Sequence, residues 1–197
     1  MKAETRHRAA TLCAATLLAM LGSAAPAAAD GLAEASGSYV IQPDSRIRFH
    51  VGNVAGSGID GDFARFSGTF AINGHDIGRS DVDFVLLPAS VRTSDKRVED
   101  FLRSDAVFDA ANHPKISFHS TQVSRSGENG AKVDGTLTAR GRTGKASFDV
   151  SVRKRDRRNI AFHVTGRILR SPYGMDVGTP IYSNVVVFDM DLKGARK

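Results

Sequence analysis

Apolar and polar residues alternate with a period of two through most of this chain. Ile47, Phe49 and Val51 fall on one phase with Arg48 and His50 on the other, and Phe66, Gly68, Phe70 and Ile72 share a phase. Ala146, Phe148, Val150 and Val152 alternate with Ser147, Asp149 and Ser151, as Ile160, Phe162 and Val164 do with Ala161, His163 and Thr165. A period of two sends successive side chains to opposite faces of an extended strand, leaving one face for a core and one for water. Val82 to Leu87, Ile116 to Val123, Val133 to Ala139 and Val185 to Leu192 read as further strands, and "SYVI" near residue 39 as an irregular lead-in. The total is about eight strands, separated by the turn signals "INGHD", "SGENG", "GRTGK" and "SPYG". This predicts an all-β chain, an antiparallel sandwich or barrel. The one helical pattern lies near 94–103, where Thr93 or Ser94 can cap "DKRVEDFL" and Val98, Phe101 and Leu102 share a face.

The first 29 residues follow a different logic. Lys2, Arg6 and Arg8 precede the apolar run "AATLCAATLLAMLG" and the small-residue stretch "APAAAD", the three regions of a secretory signal peptide. The run falls short of the roughly 20 apolar residues a transmembrane helix needs, and no other stretch approaches that length. The reading is a signal peptide over 1–29 and one exported domain over 30–197, periplasmic or secreted. The single cysteine, Cys13, leaves with the leader. The remaining chain has no thiol for catalysis, redox exchange or metal ligation, and its fold rests on its core.

Charge is concentrated. Removing Lys2, Glu4, Arg6 and Arg8 takes the net charge from +6 to +4, and Arg153, Lys154, Arg155, Arg157 and Arg158 against Asp156 carry that same +4 in one short run. A nucleic-acid surface spreads base over a face or along a helix to neutralise many phosphates, so nucleic acid is not an expected partner. Alternating strands on both sides make the run the tip of a hairpin. Attraction to anionic lipid head groups, worth about 1 kcal/mol per basic residue near a surface, is the functional reading of Arg153 to Arg158.

Motifs for chemistry are thin. "GSGIDG", Gly56 to Gly61, has the glycine spacing of a dinucleotide loop, but "DFARFSGTF" follows it instead of a helix, so it reads as a flexible strand connection. His50, His75, His113, His119 and His163 form no compact ligand motif, and His50, His119 and His163 sit on polar phases. Ser57 lacks the G-x-S-x-G elbow of a nucleophile. The pairs Asp81/Asp83 and Asp189/Asp191 alternate on strands as solvent-facing residues do. No catalytic residue, metal site or cofactor is assigned.

The apolar phase is more telling. The chain has 11 Phe and no Trp, and Phe49, Phe66, Phe70, Phe84, Phe118, Phe148 and Phe162 occupy one phase of their strands. They can form an ordinary core, or line a barrel that holds one hydrophobic ligand, which about eight strands can enclose.

Several blocks carry a family resemblance: "YVIQPDSRIRFHV", "GDFARFSGTF", "VRTSDKRVEDFLRSDAVFDAANHPKISFHS", "VDGTLTARGRTGKASFDV" and "LRSPYGMDVG". In this order they resemble the YceI-like proteins from Tyr39 to about Leu192. The resemblance implies an extended lipocalin-like antiparallel barrel, export, a polyisoprenoid, isoprenoid quinone or similar long-chain amphiphile in a central tunnel, and dimers in many members; it implies no established catalysis. The chain departs from the family at Gly52-Asn53, Phe101, Ala106-Val107 and Pro172, where polar or ionisable groups are usual. Alternation and resemblance together point to Phe49, Phe84, Phe101, Leu102, Phe108, Phe118, Phe148 and Phe162 as tunnel lining, with Asn53 and Arg170 as polar mouth residues. The expected function is non-catalytic binding of such an amphiphile. The alternatives are a lipid hydrolase using the same cavity, or a ligand-free structural or stress protein.

Overall fold

Each alternating segment is a strand in the computed structural model, which describes residue 32 and residues 34–197. The predicted leader, residues 1–29, lies outside the described residues. In chain order the strands are β1 (Gly37–Ile41), β2 (Arg46–Gly52), β3 (Gly58–Phe63), β4 (Phe66–Ile72), β5 (Asp81–Leu86), β6 (Val91–Thr93), β7 (Ile116–Arg125), β8 (Gly130–Ala139), β9 (Arg142–Arg155), β10 (Asn159–Leu169) and β11 (Val185–Arg196). Helix α1 (Lys96–Arg103) lies between β6 and β7.

Eight strands close a ring in the order β1-β4-β5-β7-β8-β9-β10-β11, with β11 returning to β1 and every pairing antiparallel. Closure gives every strand of the ring a partner on both sides over at least part of its length. Strand β11 is the spine of the arrangement: along one side it pairs with β10 throughout, and along the other with β2 through Val187 to Asp191 and with β1 through Gly194 to Arg196. β1 and β2 therefore share one strand position, interrupted at residues 42–45, where Ser45 Oγ accepts the Lys193 N–H at 2.9 Å. On one side of this break β1 closes the ring against β4; on the other, β2 carries β3 and β6 as an extension of the wall.

The ring has the expected eight strands, but not the expected set. "SYVI" is no irregular lead-in: it forms most of β1, which closes the barrel. The second half of "GSGIDG" is strand β3, so that stretch is not a flexible connection. Gly58 and Gly61 carry no side chain and so hide the alternation there. Helix α1 is capped by Asp95, whose carboxylate accepts the Arg97 N–H at 2.8 Å, and not by Thr93 or Ser94. Thr93 Oγ1 instead donates to the Asp95 carbonyl at 2.8 Å and steadies the cap from outside. Of "GRTGK", only Gly141 remains outside strand β9; with Arg140 it makes a two-residue hairpin turn, both residues at positive φ.

Inside the barrel, rings are matched to glycines on neighbouring strands. Phe49 pairs directly with Gly61, Phe84 with Gly68 and Phe148 with Gly166. Phe118 and Phe70 lie over Gly135 and Gly194. A Cβ on Gly61 would stand 2.5 Å from Phe49 Cζ, and one on Gly135 2.6 Å from Phe118 Cζ, so neither position has room for a methyl group. Each ring is thus accommodated against the wall instead of requiring space in the lumen. Edge-to-face contacts join the rings, with centroids 5.2 Å apart for both Phe70–Phe162 and Phe118–Phe148. Such pairs add about 0.5–1.5 kcal/mol each beyond burial.

The ring closes over Tyr39, which is almost wholly buried. Its hydroxyl donates to the Ala35 carbonyl and accepts from Arg196 Nη2, each at 2.8 Å, while its ring stacks on Phe70 at 5.0 Å and carries the Arg196 guanidinium on its other partner contact. Tyr39→Ala should cost about 3–5 kcal/mol and Tyr39→Phe about 1–2 kcal/mol. Urea unfolding checks both, and equal midpoints for the three proteins would show that the seam does not depend on this side chain.

Candidate functional site

The inward faces of the ring enclose a cavity of about 640 Å³, within the range of small-molecule sites. Its wall is apolar along nearly its whole length. At one end, called here the hairpin end, Leu32 and the short 3-10 turn Ile77–Arg79 close the lumen; Leu32 packs with Val123, Ala131 and Val133. At the other, the α1 end, the boundary is formed by α1 and residues 175–182. The exposed lining residues, Arg97, Phe101, Val177 and Gly178, all belong to the α1 end, which marks it as the mouth.

Phe49, Phe84, Phe118, Phe148 and Phe162 line the cavity from β2, β5, β7, β9 and β10. Leu102 and Phe101 reach it from α1, and Phe108 from the segment that follows. Leu102 is buried, whereas Phe101 is 46% exposed and forms part of the rim. Asn53 is not in the lining. Its side-chain Oδ1 accepts the Ala55 N–H at 3.1 Å and its Nδ2 donates to Ser57 Oγ, so the side chain ties its own loop together. The backbone of Asn53 still bridges to Tyr182, which does line the mouth.

Arg170 lines the cavity but has no donor to spare. Nε donates to the Ser183 carbonyl at 2.8 Å, Nη1 to those of Met175 and Val177, and Nη2 to Thr179 Oγ1 at 3.0 Å and the Tyr182 carbonyl at 3.2 Å. These five bonds match the five N–H groups of a guanidinium. Burial pushes its pKa below the usual arginine value, and Asp176 opposes the shift. Arg170 is thus the tie that folds residues 175–183 over the mouth.

Two residues that the alternation does not single out complete this end. Glu99 is 6% exposed and anchors α1 to β6: its carboxylate meets Arg103 Nη2 at 2.8 Å and accepts the Thr93 N–H at 3.1 Å. The Arg103 hydrogen bond, then the Thr93 N–H, hold the Glu99 carboxyl below its usual pKa. Arg140 Nη1 donates to the Val107 carbonyl at 3.1 Å and the Gly174 carbonyl at 2.6 Å, fastening the segment after α1 to the start of the 175–183 loop. The only hint of its role is its place in the block "GTLTARGRT".

Several titratable groups pair on the outer face of the strands, apart from those at the mouth. Arg48 meets Asp189 and Asp191 at 2.5 and 3.1 Å, with His163 beside both carboxylates, so that acidic pair is engaged across strands. His119 Nδ1 lies 2.7 Å from Asp83 Oδ1, and this hydrogen bond raises the histidine pKa. Asp81, Asp83 and His119 bring one ligand atom each within 4.8 Å of one another, the one described group with metal-ligand spacing; it lies on the solvent side of the wall, with Asp83 and His119 hydrogen-bonded to each other. The basic run is a hairpin tip, as the flanking strands predict: Asp156 accepts the Arg158 and Asn159 N–H groups at 2.8 Å each, and Arg155 pairs with Glu34.

Comparison with known proteins places this geometry. The YceI-like domain family matches residues 39–193. A UPF0312 protein of Pectobacterium atrosepticum is 29% identical over 143 residues, covering 72% of this chain and 71% of the relative. The crystal structure of BcnA from Burkholderia cenocepacia superposes with a TM-score of 0.72 at 22% identity, covering 78% of this chain and 98% of that one. A domain from Saccharophagus degradans, described as polyisoprenoid binding and implicated in plant cell wall breakdown, superposes with a TM-score of 0.66 at 17% identity, covering 82% and 99%. At these identities the two structures show a shared fold.

If the Arg170 tie holds the 175–183 loop, Arg170→Lys, with three donors at most, leaves at least two acceptors unserved. The expected loss is about 3 kcal/mol or more, read as a lower urea midpoint together with faster proteolytic cleavage between residues 175 and 183. Unchanged cleavage would mean that other contacts hold the loop.

Proposed function

The chain belongs to the YceI-like family, and we propose that it is an exported, non-catalytic protein that binds a polyisoprenoid, an isoprenoid quinone or a similar long-chain amphiphile inside its barrel. The observation that carries this reading is the cavity itself: a long lumen of about 640 Å³ whose wall is built almost entirely of aliphatic and aromatic side chains from every strand of the ring. Each methylene moved from water into such a lumen gains about 0.8 kcal/mol, so a long hydrocarbon that cannot travel free in water is the natural occupant. The polyisoprenoid-binding description of the Saccharophagus degradans domain, which has the same fold, supports the same class of ligand.

Binding is favoured over hydrolysis by what faces the lumen. Ser80 is the one serine in the described lining, its Oγ accepts the Asn73 N–H at 3.0 Å, and no histidine is among the described lining residues. A serine–histidine pair would have to be recruited from outside the wall. Export is supported by the leader pattern at residues 1–29.

The basic tip of the β9–β10 hairpin is proposed to contact anionic lipid. Strand β9 runs from the α1 end at Arg142 to the tip at Arg155, about 45 Å of extended chain. A barrel resting on a bilayer through this tip would turn its mouth away from that surface. Replacing Arg153, Lys154, Arg155, Arg157 and Arg158 by Gln should abolish sedimentation with vesicles containing phosphatidylglycerol; sedimentation that survives the change removes the proposed contact.

Native mass spectrometry of protein purified from the exported fraction of its own cells, followed by organic extraction, tests the main reading. A stoichiometric isoprenoid or other long-chain amphiphile is the expected adduct, and a homodimer, which the family resemblance implies, would appear at twice the mass. A clean apo mass that persists after incubation with a lipid extract would instead make the lumen a structural feature of a ligand-free protein.

A further inference from the structure

Polar side chains are few along the lumen, and their positions separate the two ends of any occupant. Five contribute to the described lining: Ser80, Asp95, Arg97, Arg170 and Tyr182. Between the ends the wall presents only apolar groups, and Arg170 has assigned all five N–H groups to the protein's own acceptors. Among the described residues no buried side-chain nitrogen or oxygen lacks a hydrogen-bond partner. A polar head group drawn into the middle of the lumen would lose its hydration and find no donor there, a cost of several hydrogen bonds; at the hairpin end the single hydroxyl of Ser80, whose Oγ already accepts the Asn73 N–H, is the one polar side chain in the described lining. At the α1 mouth the situation is different. Asp95, Arg97 and Tyr182 gather there, the Arg97 side chain is 91% exposed, and Arg97 and Asp95 already hold each other at 2.8 Å. Their mutual hydrogen bond lowers the Asp95 pKa and raises that of Arg97, so both stay charged and paired. A pair so placed competes with water for any ligand group and adds little affinity.

Resting on the ligand-binding reading above, we infer that the site selects its cargo by the apolar chain, and leaves the head group in water at the α1 mouth beside Arg97 and Asp95. The protein is then a carrier of a class defined by hydrocarbon shape, indifferent to whether the chain ends in a hydroxyl, a phosphate or an ether. Chain length matters because every added isoprene unit enters the apolar wall. Head-group charge matters little because it never leaves solvent.

The full-length mature protein, delipidated and titrated with geranylgeraniol, geranylgeranyl monophosphate and geranylgeranyl methyl ether, tests this directly, with farnesol as the shorter-chain comparison. The three longer ligands should bind within tenfold of one another, and farnesol at least tenfold more weakly than geranylgeraniol. Arg97→Gln should change monophosphate affinity by less than threefold. A spread above tenfold among head groups, or loss of monophosphate binding in Arg97→Gln, overturns the inference while leaving the ligand-binding reading intact; binding by none of the four overturns both. Orientation has its own readout. A nitroxide attached at the head group should broaden the amide signals of Phe101 and Val177, and broadening of Ile77 and Ser80 at the hairpin end would reverse the assigned direction.

Discussion

The barrel depends on one repeated contact, a phenylalanine ring seated on a glycine of the adjacent strand. Eight strands form a narrow tube, and inward side chains of ordinary bulk would fill it. Placing Phe49, Phe84 and Phe148 opposite Gly61, Gly68 and Gly166 gives each ring room against the wall, so the aromatic area stabilises the sheet without using the space at its centre. The same residues therefore serve as core and as lining. A filled barrel and a hollow one can be built from the same number of phenylalanines; the glycines facing them decide which results.

The second constraint is the double use of β11. Because β1 and β2 take successive lengths of one of its edges, the wall need not be uniform: one half is a closed eight-stranded ring, the other is widened by β2, β3 and β6. Helix α1 is fixed to β6 through Glu99 and stands at that widened end. The mouth is thus a consequence of topology. It opens where the ring is interrupted, and Arg140 and Arg170 fasten loops across it.

Much of this was legible in the amino-acid sequence, for a physical reason. Strands buried on one face impose a period of two, and Phe49, Phe84, Phe118, Phe148 and Phe162 on the apolar phase do face the lumen. The period fails where side chains are missing or segments are short, which is why β3, with glycine at 58 and 61, and the three-residue β6 left no such signal. Capping also lay one residue beyond the expected position, because Asp95 competes with Thr93 and Ser94 for the same turn and the choice depends on backbone direction. Roles set by tertiary contact were out of reach altogether. Nothing in the local sequence distinguishes Arg170, which spends its donors on carbonyls, from an arginine that would greet a ligand, and nothing distinguishes Asn53, engaged with Ser57, from a residue turned toward the mouth.

Four of the five acceptors around Arg170 are main-chain carbonyls, and only Thr179 contributes a side chain. Every amino acid supplies a carbonyl, so four of these five bonds do not depend on which side chains line residues 175–183, although Gly178, at a φ of 79°, still fixes one point of the path. The side chains on that path, Val177 and Tyr182 at the rim and the exposed Ile181 beside them, are free to vary without loosening the loop. One arginine thereby separates much of the architecture of the opening from its surface chemistry: the rim side chains Val177, Ile181 and Tyr182 take no part in its five bonds.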